Sequence, residues 1–290
     1  LTSFLSLPAS AQVPGLTHAS RLPAFPAPAR EWALLVGVSK YHFLPQAQWL
    51  EGCDLDATSL AQFLQSPRGG SFPADHVKLL VNETATTSAI RIGLDFLIKK
   101  AAAGDVVYIF FACHGKVEVY GSGEVAYLLP CDCDPQHLNA TAVPMDEVRR
   151  YVDNNLRQAQ VVLITDACHA GGLSATDSDG PHAFSSVAEQ LQTIGERNGA
   201  LNIMACRRDE SATEDPRLGG HGVLTYCLLK ALNGDGASPA DGIVRAQDVL
   251  EYLMRQVPRL TEQEQHPRHS SNYHDEFPMA RLGQVGADLH

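Results

Sequence analysis

Three stretches of this chain are near-continuous apolar runs that stop abruptly at small or polar residues: "WALLVGVSKY" (32–41), "DVVYIFFACHG" (105–115) and "QVVLITDACHAGG" (160–172). A strand apolar on every residue, rather than every second one, is buried on both faces. That requires covering layers on both sides, and the intervening text supplies them as helices. "CDLDATSLAQFLQ" (53–65), "TTSAIRIGLDFLIKKAAAG" (86–104) and "PMDEVRRYVDNN" (144–155) carry helical periodicity, the second beginning at a Thr cap and the third with Pro near its start. "HVKLLVN" (76–82) and "LNIMACR" (201–207) add strands, "EVAYLLPC" (124–131) a short one after the polar loop that begins at Lys116. "GVLTYCLLKALNG" (222–234) and "AQDVLEYLMRQV" (246–257) add helices, and "FPMARL" (277–282) reads as a closing strand. Strands alternating with helices imply right-handed crossovers, hence an α/β fold with a mostly parallel sheet and helices on both faces.

Residues 1–30 lack this pattern. They are rich in Pro, Ala and Ser and read as an arm ahead of a domain spanning 31–290. "PASAQ" (8–12) has the look of a small-residue cleavage site, but no basic segment precedes it. A cytoplasmic location is the expectation, with export left open. No apolar run approaches the ~20 residues of a membrane span. A net charge of −11 without any Lys/Arg cluster argues against nucleic acid or an anionic membrane as partner and favours basic ligands. Seven cysteines scattered through apolar strands suit a reducing compartment better than a disulfide framework.

Two of the three apolar runs end in chemistry. One delivers His114 followed by Gly115, the other Cys168 followed by a glycine pair. In parallel strands both would sit at carboxyl ends, the edge where open α/β sheets build their sites. The single helix between them suggests neighbouring strands. An imidazole beside a thiol lowers the thiol's pKa and supplies a general acid for a departing amine, so the pair suits nucleophilic catalysis. Zinc is the competing reading. Cys113–His114 with Cys168–His169 is weakened by strand alternation, and Cys131 with Cys133 supplies only two ligands. "NGDGASPADG" (233–242) lacks the spacing of a calcium loop and reads as a connection.

"ACHG" after one strand and "DACHAGG" after the next resemble the caspase-like cysteine peptidases, and most of all their metacaspase branch. "ALLVGVSKY" and "LEGCDLDATSLAQFL" are similar to that family's first strand and following helix, "YLLPCDCDP" to its post-histidine strand and "GVLTYCLLKAL" to a late helix. The resemblance covers about residues 31–282 and implies a three-layer caspase-like sandwich with a His114–Cys168 dyad. It also implies an oxyanion hole from the N–H groups of Gly115 and Cys168.

Asp166, two residues before the thiol, and Asp56 of "GCDLDA" map by this resemblance to the pocket for the residue cut after. Two carboxylates in one small cavity favour a cation, Arg ahead of Lys. Asp209 or Glu210 of "CRRDESATED" is a candidate further acidic wall, while Asp166 merely capping its strand end is the bland alternative. Ala112 stands where such peptidases usually carry Ser. Asp177 and Asp179 could offer calcium oxygens, but the family's dense acidic run is missing from "KVEVYGSGEVAY" (116–127), so no cofactor or metal is expected.

The family commonly cuts itself between the cysteine and the next strand. Arg197, the one Lys or Arg between Gly172 and Ala200, is the candidate self-cleavage site, with Arg21 and Arg30 as others. The expected partners are protein substrates with exposed Arg or Lys and an upstream activating protease. The alternative function is a catalytically silent interaction module of the same fold.

Overall fold

The computed structural model describes residues 30–121, 123–167, 200–207, 210–237, 239–270 and 277–282. The apolar runs form strands as their composition dictates. They are β1 (Glu31–Gly37), β2 (Val77–Val81), β3 (Val106–Ala112), β7 (Gln160–Asp166) and β8 (Leu201–Met204) of one six-stranded sheet. Its order is β10-β8-β7-β3-β1-β2, with β10 (Arg268–His269) antiparallel on β8 and the other pairs parallel. β3 and β7 are neighbours, as expected, although the connection between them holds a hairpin and a further short helix besides the one helix read from the sequence.

Alternation splits the side chains of each strand between two cores. Val107, Ile109 and Phe111 join the core beneath α2 (Thr87–Lys100), which contributes Ile90, Leu94 and Leu97. Tyr108, Phe110 and Ala112 join the core beneath α1 (Cys53–Gln65), α5 (Val223–Leu232) and α6 (Ala246–Leu260). This is a three-layer sandwich. Each large side chain buried in it contributes roughly 1.5–3 kcal/mol. The Thr86 side chain accepts the Ala89 N–H to start α2, and Lys99 and Lys100 close it, agreeing with the helix dipole. Among the described residues no helix is long and apolar enough to cross a membrane.

Two local readings change. The supposed polar loop after His114 is a hairpin, β4 (Gly115–Tyr120) against β5 (Gly123–Leu128), extended by β6 (Val143–Pro144). Val117 and Val119 alternate with charged residues there, which is a half-buried strand pattern that the short flanking "GSG" turn permits. The closing strand β11 (Pro278–Arg281) pairs with β9 (Ile243–Arg245) in a separate two-stranded sheet instead of joining the main one. Two short helices, α3 (Leu138–Thr141) and α4 (Met145–Arg150), flank β6. Residues 1–29, hence Arg21, lie outside the described residues.

Candidate active site

The parallel register is level at the carboxyl edge. Gly37 pairs with Ala112, and Ala112 with Asp166. His114 stands two residues past one of these paired positions, and in the sequence Cys168 stands two past the other. Cys168 itself lies outside the described residues. His114 is 5 % exposed and held from two directions. Its backbone N–H donates to the Tyr41 hydroxyl at 2.8 Å, and that hydroxyl donates to the Val38 carbonyl at 3.0 Å. Its ring lies 4.9 Å from the Tyr41 ring. Its Nε2 is 2.7 Å from the Gln48 carbonyl, which can only accept. The proton of the neutral ring therefore sits on Nε2, and Nδ1 is left with a lone pair. Burial lowers the His114 pKa, partly opposed by the Gln48 bond and the charge of Glu214. The resting imidazole at neutral pH is a base.

Beside it lies a buried acidic cluster. Asp56, in the first turn of α1, and Asp166, at the end of β7, both point at Gly222 before α5. A Cβ on Gly222 would lie 2.9 Å from Asp166 Oδ2 and 3.0 Å from Asp56 Oδ2, so only glycine fits between the two carboxylates. The Gly222 N–H donates to Asp56 Oδ2 at 3.1 Å, and His221 Nδ1 donates to Asp56 Oδ1 at 2.6 Å. The Thr225 hydroxyl donates to Asp166 Oδ2 at 3.0 Å. Asp166 is thus held from α5.

Burial pushes the Asp56 pKa up to about 6 even against the His221 bond. Burial and the neighbouring Asp56 push Asp166 up to about 7. Glu214 completes the cluster. Its two oxygens accept the Glu51 and Gly52 N–H groups at 2.9 Å each, and the Cys53 thiol is 3.8 Å away.

Of the two residues expected to add an acidic wall, Glu210 is engaged elsewhere. Asp209 lies outside the described residues. The Glu210 carboxylate is taken by the backbone N–H and Nδ1 of His266, each at 2.7 Å, which ties the loop after β8 to the chain before β10. The third acid beside Asp56 and Asp166 is Glu214. Arg197, Asp177, Asp179 and His169 lie outside the described residues. Gly115 opens β4 and pairs with Leu128. Ala112 is fully buried. Cys53, Cys113, Cys131, Cys133 and Cys227 are free thiols. Among the described residues no group of three or more His, Cys, Asp or Glu is placed to hold a metal ion.

A family model, the caspase domain, matches residues 30–278. The chain belongs to the caspase domain family. It is similar to Metacaspase-7 of Arabidopsis thaliana, 27% identical over 152 residues, which cover 49% of this chain and 35% of that protein. Metacaspase-6 of the same plant is 27% identical over 147 residues, 49% of this chain and 38% of that protein. The chain thus spans little more than a third of the length of these curated relatives. The crystal structure of protein GSU0716 from Geobacter sulfurreducens superposes with a TM-score of 0.61 at 14% identity, covering 88% of this chain and all of that one, a likeness of fold.

Within this caspase-family site, reading the sequence missed Gln48, Glu214, His221 and Thr225. Gln48 acts through its backbone carbonyl, which no side-chain pattern announces. Tyr41 stood in the quoted "SKY" without a role. Glu214 sat in an acidic run, "DESATED", where nothing in the spacing separated it from Asp209 and Glu210.

Proposed function

We propose that this chain is a cysteine endopeptidase that cuts proteins after basic residues, Arg ahead of Lys, with Cys168 as nucleophile and His114 as base and then acid. The observation that carries this reading is the level β3–β7 register. It sets Ala112 level with Asp166, the positions two residues before His114 and Cys168 in the sequence, beside a buried acidic cluster with no Lys or Arg at salt-bridge distance among the described residues.

In the proposed reaction His114 Nδ1 takes the thiol proton as the sulfur attacks the scissile carbonyl. The N–H groups of Gly115 and Cys168 stabilise the oxyanion. The imidazolium, held by Gln48, then protonates the leaving amine as the C–N bond breaks, leaving a thioester. Water, deprotonated by the same ring, hydrolyses the thioester and releases the acid and the thiol. Asp56 and Asp166 receive the guanidinium of the residue cut after. Arg meets two carboxylates with several charge-assisted bonds, which Lys cannot match.

Protein chains with exposed Arg or Lys are the proposed substrates. Self-cleavage after Arg197, or cutting by an upstream protease, is the proposed control. The test is a pair of fluorogenic peptides differing only in Arg or Asp at the cut position, assayed on wild type and Cys168→Ala. Cleavage of the Arg peptide by wild type alone supports the reading. Preference for Asp, or normal turnover by Cys168→Ala, overturns it.

A further inference from the structure

The acidic cluster is not open to an incoming cation in this structure, because one side chain already fills the role. Asp56 is 1 % exposed, while the His221 side chain is 17 % exposed, so the imidazole stands between the carboxylate and solvent. Oδ2 of Asp56 is engaged by a backbone N–H that belongs to the fold. Oδ1 is the oxygen left for a ligand, and His221 Nδ1 holds it at 2.6 Å. The groups around this contact are Asp56 and the Cys53 thiol from α1, Asp166 from β7 and Glu214 from the loop before α5. All are acids, so the imidazole is the one basic side chain at bonding distance from Asp56 among the described residues.

His221 follows a glycine turn and bonds Asp56 through its side chain alone. Gly219 and Gly220 precede it with φ of +75° and +84°, a left-handed pair that a side chain would strain. The backbone itself is packed, since a Cβ on Gly52 would lie 2.3 Å from the Gly220 carbonyl oxygen, so what can leave Asp56 is the His221 side chain. The histidine makes no other hydrogen bond among the described residues.

We propose that His221 is the resident occupant of the cation site, taking on Asp56 the bond that a substrate guanidinium takes, and that substrate binds by displacing it. This rests on the basic-residue reading above and adds to it a self-blocking group. An incoming cation must outcompete a tethered imidazole. A guanidinium does so by reaching Asp56 and Asp166 together. An apolar or acidic side chain gains nothing by opening the site, so the plug sharpens selectivity as well as limiting affinity.

The experiment measures competitive inhibition by benzamidine, a small planar amidinium, on the full chain as wild type, His221→Gln and His221→Lys. KM and kcat for the Arg peptide are read alongside, and iodoacetamide labelling of Cys168 reports that the site is intact. His221→Gln, which keeps bulk and loses the basic ring, should lower the benzamidine Ki about 5- to 10-fold, with KM moving more than kcat. His221→Lys, a permanent tethered cation, should raise the Ki more than about tenfold. A higher Ki in His221→Gln would mean that the imidazole supports Asp56 for the substrate, and would overturn the proposal. So would values within twofold across all three proteins. Should His221→Lys not fold, the direction of change in His221→Gln decides alone. Wild type that is labelled at Cys168 and cleaves a non-basic peptide, yet neither binds benzamidine nor cuts after Arg, removes the basic-residue reading and this proposal with it.

Discussion

The central strands carry a buried carboxylate near each end, and the two are treated in opposite ways. At the amino end, Asp105 just before β3 accepts the Ala102 N–H at 2.9 Å, the Trp32 indole N–H at 3.0 Å and the Arg30 N–H at 3.1 Å. It also pairs with the Arg30 guanidinium at 3.2 Å. These donors and the positive charge outweigh burial and hold its pKa below the usual carboxylate value. At the carboxyl end, Asp166 has the Thr225 hydroxyl and a second carboxylate for company, and its pKa is pushed up to about 7. Asp105 is a finished structural anchor. Asp166 and Asp56 are short of positive charge, the state a site adopts when its partner arrives from outside.

The sharpest way to break this contrast is to delete each carboxylate. Asp166→Ala should lower kcat/KM for an Arg peptide by about 10²- to 10³-fold, on the scale of losing a buried charge partner, while iodoacetamide still labels Cys168. Asp105→Ala should leave kcat/KM unchanged and cost about 3 kcal/mol in urea unfolding, because three N–H groups lose their acceptor. An Asp105 variant with a large kinetic defect would dissolve the distinction.

The pH dependence should differ in sign between the two ends. For Asp56 and Asp166 the folded-state pKa values of about 6 and about 7 lie above the unfolded value near 3.8. The folded protein therefore binds the extra protons, and this contribution to stability fades as pH rises from about 4 through about 7. For Asp105 the folded pKa is lowered, so its contribution is present above the unfolded value and lost as pH falls through the folded one. Melting curves of Asp166→Asn should lose part of the decline toward neutral pH and show a Tm higher by roughly 2–4 °C there. Substrate binding needs the ionised carboxylates, so KM for an Arg peptide should rise as pH falls below about 7. A flat KM between about pH 5 and 8 would contradict the shifts.

The smallest effect concerns the histidine side of the same edge. Tyr41→Phe removes the hydroxyl that links the His114 N–H to the Val38 carbonyl. One such bond is worth about 1 kcal/mol, so kcat should fall about 3- to 10-fold with KM little changed. A change in KM alone would place Tyr41 with substrate binding instead of with His114.

Much of the frame was legible because burial on both faces leaves a direct trace in composition. "VVYIFFA" and "VVLITD" read as central strands, and their register sets Ala112 level with Asp166 at one edge. Asp56 and Asp166 were legible as candidates through the motifs around them, and the structure brings their oxygens to either side of Gly222. The hairpin after His114 was not legible, since two valines in a polar, Gly-bounded segment are a weak signal beside seven consecutive apolar residues. Glu210 and Glu214 were indistinguishable in sequence. One is consumed by His266 and the other faces the carboxylate pair, a difference set by how the loop after β8 returns across the sheet.

By itself the sequence determined the layered α/β architecture, the order of its strands along the chain and the two residues that close its central runs. These follow from side-chain hydrophobicity and local spacing, which act on neighbours in the chain. Only the tertiary structure decided which nitrogen of His114 carries the proton, through a backbone carbonyl 66 residues away at Gln48. It alone placed His221 on Asp56 across 165 residues. Such contacts depend on backbone groups and on loops that pack last, and their energies are set by burial, which a linear pattern does not record.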